Sequence, residues 1–564
     1  MTFRQDSTII VTMRFLTILL AVTAAHAQDA GATRADWAHN GGTPFSWRYS
    51  ALDQINSSNI NRLTPAWLFQ TGDYAENLQA TPIVVDGVMY LITARARVFA
   101  LEAATGREIW HYRYPEPAVG GFVGNRGVAV GDGKVFFGTK NNYIVALDQK
   151  TGRELWRVNT DDTRQCGCNI TAAPLVANGK VIIGGTGGDG AHRGYITAFN
   201  SKNGRLAWRW YVIPGPGEKG NETWKGDSWR FGGGSPWLTG SYDAALNLVY
   251  WGTGNAAADF YDADRVAPGT DKGKDVNLFT ASVVALDADT GKLRWYHQEV
   301  PDDIWDYDSS YEVLLVDRVI RGRMRQALVH MNKSGLTSVL DRATGEFLGA
   351  FSVPEVRNWI TGVTEDGKLV GRNEPELGKT TTICPSAAGA KSWNSMAYSP
   401  RTGYLYVPVN EMCNDVTPNN RGPEEGRNYM NAEFPMKLIP ERTTHSHVDA
   451  WDPVTGKRAW SMPYKYVLLA SMLATAGDLV FTGNPEGEFF ALDGKSGNKL
   501  WSYQTGAGHR GGAVSYAVNG RQYIATTTGW HSSVVGGAVA ALFPDQDWRL
   551  GSTLVVFALP EGSR

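Results

Sequence analysis

The sequence predicts an all-β chain: a β-propeller of eight blades, with tryptophan-docking repeats and a ring closed by its N- and C-terminal strands. Three observations point there. A strand–turn–strand motif recurs along the chain and ends on Trp four residues after a turn Gly. Where copies are consecutive, their Trp residues stand about 40 to 50 residues apart, the spacing of propeller blades. The two ends of the chain carry complementary halves of one further copy. Composition agrees, since 64 Gly, 20 Trp, 23 Tyr and 20 Phe in 564 residues favour a turn-dense β architecture.

In chain order the copies are ALEAATGREIW ending at Trp110, ALDQKTGRELW at Trp156, AFNSKNGRLAW at Trp208, ALDADTGKLRW at Trp295, AWDPVTGKRAW at Trp460 and ALDGKSGNKLW at Trp501. VLDRATGEFLG is a degenerate copy with Gly349 in the Trp place. Each reads as an apolar strand, a tight turn with an acidic or polar residue and Gly, and a second strand. A Trp at a fixed place in a blade packs between neighbouring sheets, and its N–H needs one acceptor, so these residues are structural. Near the C-terminus, VVFALPEG (555–562) supplies strand and turn. Near the N-terminus, AWLFQTG (66–72) resembles WSYQTG (501–506), the half that follows the turn. Pairing the two inside one blade leaves no open gap in the ring. The intervals 208–295 and 349–460 are irregular and hold inserted loops such as TPNNRGPEEGRNYMNAEFPMK, expected to cover one end of the ring.

The first residues, MTFRQDSTIIVTMRFLTILLAVTAAHAQ, read as a secretory signal peptide over 1–27, leaving a propeller domain over 28–564. The apolar run 15–22 is too short to span a bilayer, and no later segment has spanning length without charges. The expectation is a soluble chain exported to the periplasm. A net charge of −2 offers no electrostatic case for nucleic acid. Four cysteines, Cys166, Cys168, Cys384 and Cys413, are compatible with two disulfides in an exported protein. Cys166-Gly-Cys168 reads as a disulfide or two thiols rather than a zinc site. No Cys-x-x-Cys-His occurs, so these residues encode no covalently attached c-type haem.

The stretch VPDDIWDYDSS crowds Asp302, Asp303, Asp306 and Asp308 together. Like charges this close repel, more so in apolar surroundings, and something must neutralise them. Asp302 and Asp303 are expected to be solvated loop charges. Asp306 and Asp308, two apart on an extended segment, can face the same side and reach one cation. Two other stretches offer oxygen ligands: GGTGGDGAHRGYITAF with Asp189, and WGTGNAAADF with Asn255. Taken singly, each is an ordinary turn residue.

In this order, between these repeats, the stretches resemble the quinoprotein alcohol dehydrogenases, exported eight-bladed propellers that use pyrroloquinoline quinone (PQQ) and a metal ion. The likeness runs from about Trp37 to the C-terminus. It implies metal ligation by Asp189, where the family usually has Glu, by Asn255 and by Asp306, which is also the implied catalytic base. An Asp at position 308 resembles the lanthanide-dependent branch; calcium enzymes carry a small neutral residue there. A trivalent ion is hard and rewards one more carboxylate, so the implied ion is Ca²⁺ or a lanthanide. On the quinone side, the likeness implies that Trp237 in GGGSPWLTGSYD stacks on the ring system. Arg126 in GNRGVAV would pair with a quinone carboxylate, a task suited to guanidinium. Lys333 in VHMNKSG would lie beside the reactive carbonyls. Thr171 in NITAAPLV, Asn394 in SWNSMAYSP and Gly188 beside Asp189 would make edge contacts, and Gln79 in LQATPIVV stands where relatives often have Glu. Relatives with an adjacent-cysteine disulfide place it where this chain has Gly120-Gly121. Cys384 and Cys413 match a family disulfide, while Cys166 and Cys168 match none.

The implied reaction oxidises an alcohol to an aldehyde or ketone by hydride transfer to metal-bound PQQ, with electrons passed to a separate acceptor such as a periplasmic cytochrome c. Two other readings stand beside it. A non-enzymatic exported scaffold of the outer-membrane-assembly type would have no use for Asp189, Asn255, Asp306, Lys333 and Trp237 converging. A quinone-dependent sugar dehydrogenase is disfavoured by the WDYD and Gly-Thr-Gly-Asn contexts.

Overall fold

Each repeat folds into the outer half of a four-stranded antiparallel sheet, and the same register recurs in copy after copy. Ala100 lies opposite Trp110, Ala146 opposite Trp156, Ala285 opposite Trp295 and Ala491 opposite Trp501, with a register shift directly after each Ala. The turns have a local cause. The carboxylates of Asp148, Asp287 and Asp493 accept the backbone N–H groups two and three residues on. The turn Gly then takes a positive φ, +70° at Gly152 and +69° at Gly291, a region that penalises a Cβ. A second constraint on that Gly comes from outside its own sheet. A Cβ on Gly152 would lie 2.6 Å from the Trp110 ring, and one on Gly291 2.6 Å from Trp208.

The same indoles donate to the neighbouring turn: Trp110 to Gln149 O at 3.1 Å, Trp208 to Ala288 O at 3.0 Å, Trp295 to Arg342 O at 3.1 Å and Trp460 to Gly494 O at 3.1 Å. Trp67 reaches Ala103 O, and Trp501 reaches Leu63 O. Where the degenerate copy has Gly349, Phe351 covers the next turn instead, 2.7 Å from a Cβ on Gly456. These contacts are the joints between sheets, and emptying one by Trp→Ala costs roughly 3–5 kcal/mol.

The computed structural model describes residues 31–74, 76–115, 124–530 and 534–562; the expected signal peptide and Gly120-Gly121 lie outside them. Eight sheets share one strand order, spanning 83–113, 129–159, 175–211, 241–298, 313–352, 397–464, 473–504 and, last, 514–558 with Thr64–Gln70 as its fourth strand. First strands lie side by side along 83–85, 129–131 and 175–177, at 241–243 with 313–320, and along 397–398, 473–475 and 514–518. The two half-copies meet as expected: Thr64 faces Ala558 and Gln70 faces Thr553 in an antiparallel pair. The chain is an all-β propeller.

Residues 31–50 thread across the first strands. Tyr49–Ser50 pairs in parallel with Ala474–Thr475, and Trp37 exchanges backbone hydrogen bonds with Val84. Trp47 donates to Leu315 O at 2.6 Å, while buried Arg48 donates to Met472 O and Ala513 O. Both disulfides form, Cys166–Cys168 and Cys384–Cys413. The inserted loop sits where expected, over one end, with Asn428 bridged to Gly190 and Glu425 to Ala191. Among the described residues no helix is long and apolar enough to cross a membrane.

In such a meander the segment entering the first strand and the loop between the second and third strands open at the same end.

Candidate active site

All the residues singled out from the sequence enter from this end. Gln79, Arg126, Thr171, Trp237, Asp306, Asp308 and Asn394 precede first strands; Gly188, Asp189, Asn255 and Lys333 lie between second and third strands.

The acids converge. Carboxylate oxygens of Asp189, Asp306 and a residue the motifs did not flag, Asp259, lie within 4.8 Å of one another. Lys333 Nζ donates to Asp306 Oδ1 at 2.5 Å and to Asp308 Oδ2 at 3.3 Å. Asp308 Oδ1 accepts the backbone N–H of Asn255 at 3.1 Å, and Asn255 Nδ2 donates to Asp259 Oδ1 at 2.8 Å. Asp306 holds φ +61°, a left-handed conformation that Asp tolerates better than most residues. Gly188 is required by proximity, since a Cβ there would lie 2.8 Å from Asn255 Oδ1.

Four carboxylates therefore stand around one ammonium, which pairs with two of them. At an effective dielectric of about 20, two ionised carboxylates 4.8 Å apart repel by roughly 3 kcal/mol. Burial pushes Asp306 and Asp259 well above the usual carboxylate range, and the neighbouring acids push them further. Asp189 is exposed as a residue, yet its carboxyl lies in the cluster, and lost hydration followed by Asp308 raises it to about 6. Burial would lower Lys333, but Asp306 and Asp308 hold it above its ordinary value. Asn255 Oδ1 and Asp259 Oδ2 are buried without a hydrogen-bond partner among the described residues. Unpartnered, all-oxygen and anionic, this donor set fits a hard cation.

The expectation for Asp302 and Asp303 is corrected. Neither is solvated: both are fully buried. Asp302 pairs with Arg265 at 2.6 Å, Lys272 at 3.1 Å and Arg372 at 3.4 Å. Asp303 accepts the N–H groups of Trp305 and Tyr307 at 3.0 and 2.7 Å, so it shapes the loop that presents Asp306.

Beside the acids lies an aromatic and cationic pocket. The Arg126 guanidinium sits 5.0 Å from the Trp237 ring and 4.9 Å from Trp393, and donates to Thr171 Oγ1 at 2.6 Å. Burial, then Arg510, lowers Arg126 to about 9, and no carboxylate of the described residues pairs with it. Gln79 is buried with both amide atoms unpartnered among the described residues. Trp237 meets Tyr311 edge-on at 5.7 Å. A planar polycarboxylate fits this combination of aromatic surface, buried unpaired cation and free amide. Asn394 contributes differently: its Nδ2 is turned to Leu468 O and Ala470 O, leaving only Oδ1 unpartnered. The sequence motifs missed Trp393, Asp259 and Lys391, whose Nζ pairs with Glu312 at 2.8 Å and lies 4.4 Å from the Tyr311 ring. A separate cleft of about 600 Å³, lined by Trp210, Tyr211, Phe279 and Tyr296, shares no residue with this site.

Comparison with known proteins agrees with the geometry. The family profile "PQQ: Glucose/ethanol/alcohol dehydrogenase, beta-propeller domain" matches residues 37–357 and 461–524. The quinohemoprotein alcohol dehydrogenase of Comamonas testosteroni is 38% identical over 88% of this chain and 73% of its own. The quinoprotein alcohol dehydrogenase PedH of Pseudomonas putida is 35% identical over 91% and 89%. A lanthanide-dependent methanol dehydrogenase from Methylorubrum extorquens is 34% identical over 91% and 92%. A solved europium-containing methanol dehydrogenase superimposes with a TM-score of 0.86 at 31% identity, covering 93% of this chain and 98% of that one. The chain belongs to the PQQ-dependent alcohol dehydrogenase family, enzymes that act on alcohols with PQQ and a metal ion, calcium or a lanthanide.

Proposed function

We propose that this enzyme oxidises a small-molecule alcohol to an aldehyde or ketone in the periplasm, exported by residues 1–27, and passes the electrons to a separate acceptor such as a cytochrome c. The observation that carries the reading is the pairing of two unsatisfied sets: buried carboxylates short of cations, beside a buried arginine short of an anion. Asp189, Asn255, Asp306 and Asp308 hold the ion. Trp237 supplies the stacking face, Arg126 meets a carboxylate of the cofactor, and Gln79, Thr171, Gly188 and Asn394 line its edges. Bound there, PQQ would supply the hydride-accepting chemistry for alcohol oxidation and the ion Lewis acidity. Asp306 takes the hydroxyl proton, kept ionised at working pH by the ion. Lys333 spends two of its three donors on Asp306 and Asp308 and has a third for charge developing on the cofactor.

Asp308 favours a lanthanide over calcium, because one more carboxylate on the same ion matters most for a trivalent charge. The eight sheets, the pairing of Thr64–Gln70 with Thr553–Ala558, and the Trp501 indole on Leu63 support a closed eight-bladed ring. The test is reconstitution of the ion-free enzyme with PQQ and either Ca²⁺ or a light lanthanide, read by dye reduction across an alcohol panel. Turnover should require both additions and be higher with the lanthanide. No turnover with any alcohol, under conditions where PQQ and ion bind, would return the chain to the scaffold reading.

A further inference from the structure

We propose that Asp259 is a further ligand of the metal ion; the inference rests on the metal site described under Proposed function. Three observations carry it. Asp259 is fully buried, and its carboxylate lies in one group with those of Asp189 and Asp306, the oxygens within 4.8 Å of one another. No cation of the described residues pairs with it, whereas the equally buried Asp302 has Arg265, Lys272 and Arg372. Its Oδ2 is buried and has no hydrogen-bond partner among the described residues.

The bond to Asn255 tightens the argument. An ionised carboxylate only accepts, so the Asn255 amide must turn its Nδ2 to Asp259, as it does at 2.8 Å. That orientation leaves Asn255 Oδ1, itself buried and unpartnered, as the amide's remaining oxygen for the ion. Asp259 thus sets the flip of one ligand and brings a second oxygen of its own. A neutral, protonated Asp259 would answer the charge but not the geometry, because Oδ2–H would then lack an acceptor among the described residues. A buried carboxylate left without a partner is strongly disfavoured, and an ion shared with Asp189 and Asp306 removes that penalty.

The test uses the full-length, ion-free protein without PQQ and titrates it with Eu³⁺, reading luminescence intensity for affinity and lifetimes in H₂O and D₂O for the number of bound waters. Asp259→Asn retains an acceptor for Asn255 and should fold. It is expected to weaken Eu³⁺ binding at least about 10-fold and to admit one extra water to the bound ion. A purely electrostatic role would weaken binding and leave the water count unchanged, and that result would overturn ligation. Unchanged affinity and unchanged hydration would overturn the proposal while leaving the ion site standing. Absence of Eu³⁺ binding to the unaltered protein would instead remove the metal reading itself. Should Asp259→Asn fail to fold, Asp259→Glu keeps the charge and displaces the oxygens by a methylene. An unaltered affinity and lifetime in that variant would count against ligation.

Discussion

Asp302-Asp303 and Asp306–Asp308 stand in one loop, all buried, yet the protein treats them in opposite ways. Asp302 is closed off by three cations, Arg265, Lys272 and Arg372, and Asp303 by two backbone N–H groups. Among the described residues Lys333 is the one cation paired with Asp306 and Asp308, and Asp189 and Asp259 press on the same space. The first pair is satisfied by protein groups and serves as a clamp. The second is left in charge deficit, and a deficit held in a buried, all-oxygen pocket is what a cation site looks like before the cation is counted. Residue type does not separate the two pairs; what satisfies each carboxylate does, three cations for Asp302 and two backbone N–H groups for Asp303.

The most damaging change should be at Asp306. Replacing it with Asn removes the proposed base and should lower kcat by about 10²–10⁴-fold while PQQ binding, followed by absorbance, persists. Full turnover in a loaded Asp306→Asn enzyme would erase the functional side of the comparison. Next in size is the clamp. Arg265→Met takes from Asp302 the shortest of its three ion pairs, leaving Lys272 and Arg372, and should cost about 1–3 kcal/mol, read as a lower thermal unfolding midpoint that added lanthanide does not restore. Recovery on adding the ion would show that the two halves are not separate.

The acid cluster should behave conversely. A lanthanide at 1,000 times its Kd stabilises the unaltered protein by about 4 kcal/mol, and Asp308→Ala should diminish that gain more for a lanthanide than for Ca²⁺. Equal loss with both ions would defeat the assignment of Asp308. The smallest effect concerns a third network of the clamp type. His447 bonds Asp449 at 2.8 Å and Glu411 at 3.2 Å. Burial would lower its pKa, but these carboxylates raise it to about 9. The folded state therefore holds this proton more tightly than the unfolded chain does. The resulting stability is complete below pH 6.5 and is lost as pH rises through about 9. The unfolding midpoint should fall more steeply between pH 7 and 10 in the unaltered enzyme than in His447→Gln.

The repeat was legible because its parts are local: Trp and the Gly it covers recur in a fixed motif, so one copy predicts the next. The acids at 189, 306 and 308 were legible only through the sequence contexts that resemble the family. Asp302 was misread as solvated because its cations lie far along the chain, Arg265 from a loop before it and Arg372 from one after, and Asp303 because the turn that aims the Trp305 and Tyr307 N–H groups at it has no sequence signature. Asp259 carries no motif, sitting in AAADF among small residues, and its meaning emerges only when Asn255 turns its amide toward it. Trp47 and Arg48 lie outside every repeat, and nothing in periodicity announces that they donate to the backbone of three different sheets' segments, at Leu315, Met472 and Ala513. The bond between Cys166 and Cys168 was equally unreadable, since a one-residue spacing permits thiols as readily as a bridge.

Anomalous diffraction at a lanthanide edge, from crystals of the enzyme loaded with PQQ and that ion, tests the central claim most directly. The account predicts one strong buried peak at about 2.3–2.6 Å from oxygens of Asp189, Asn255, Asp306 and Asp308, with planar density lying on Trp237. A peak held elsewhere, or planar density with no ion beside Asp306, would contradict it.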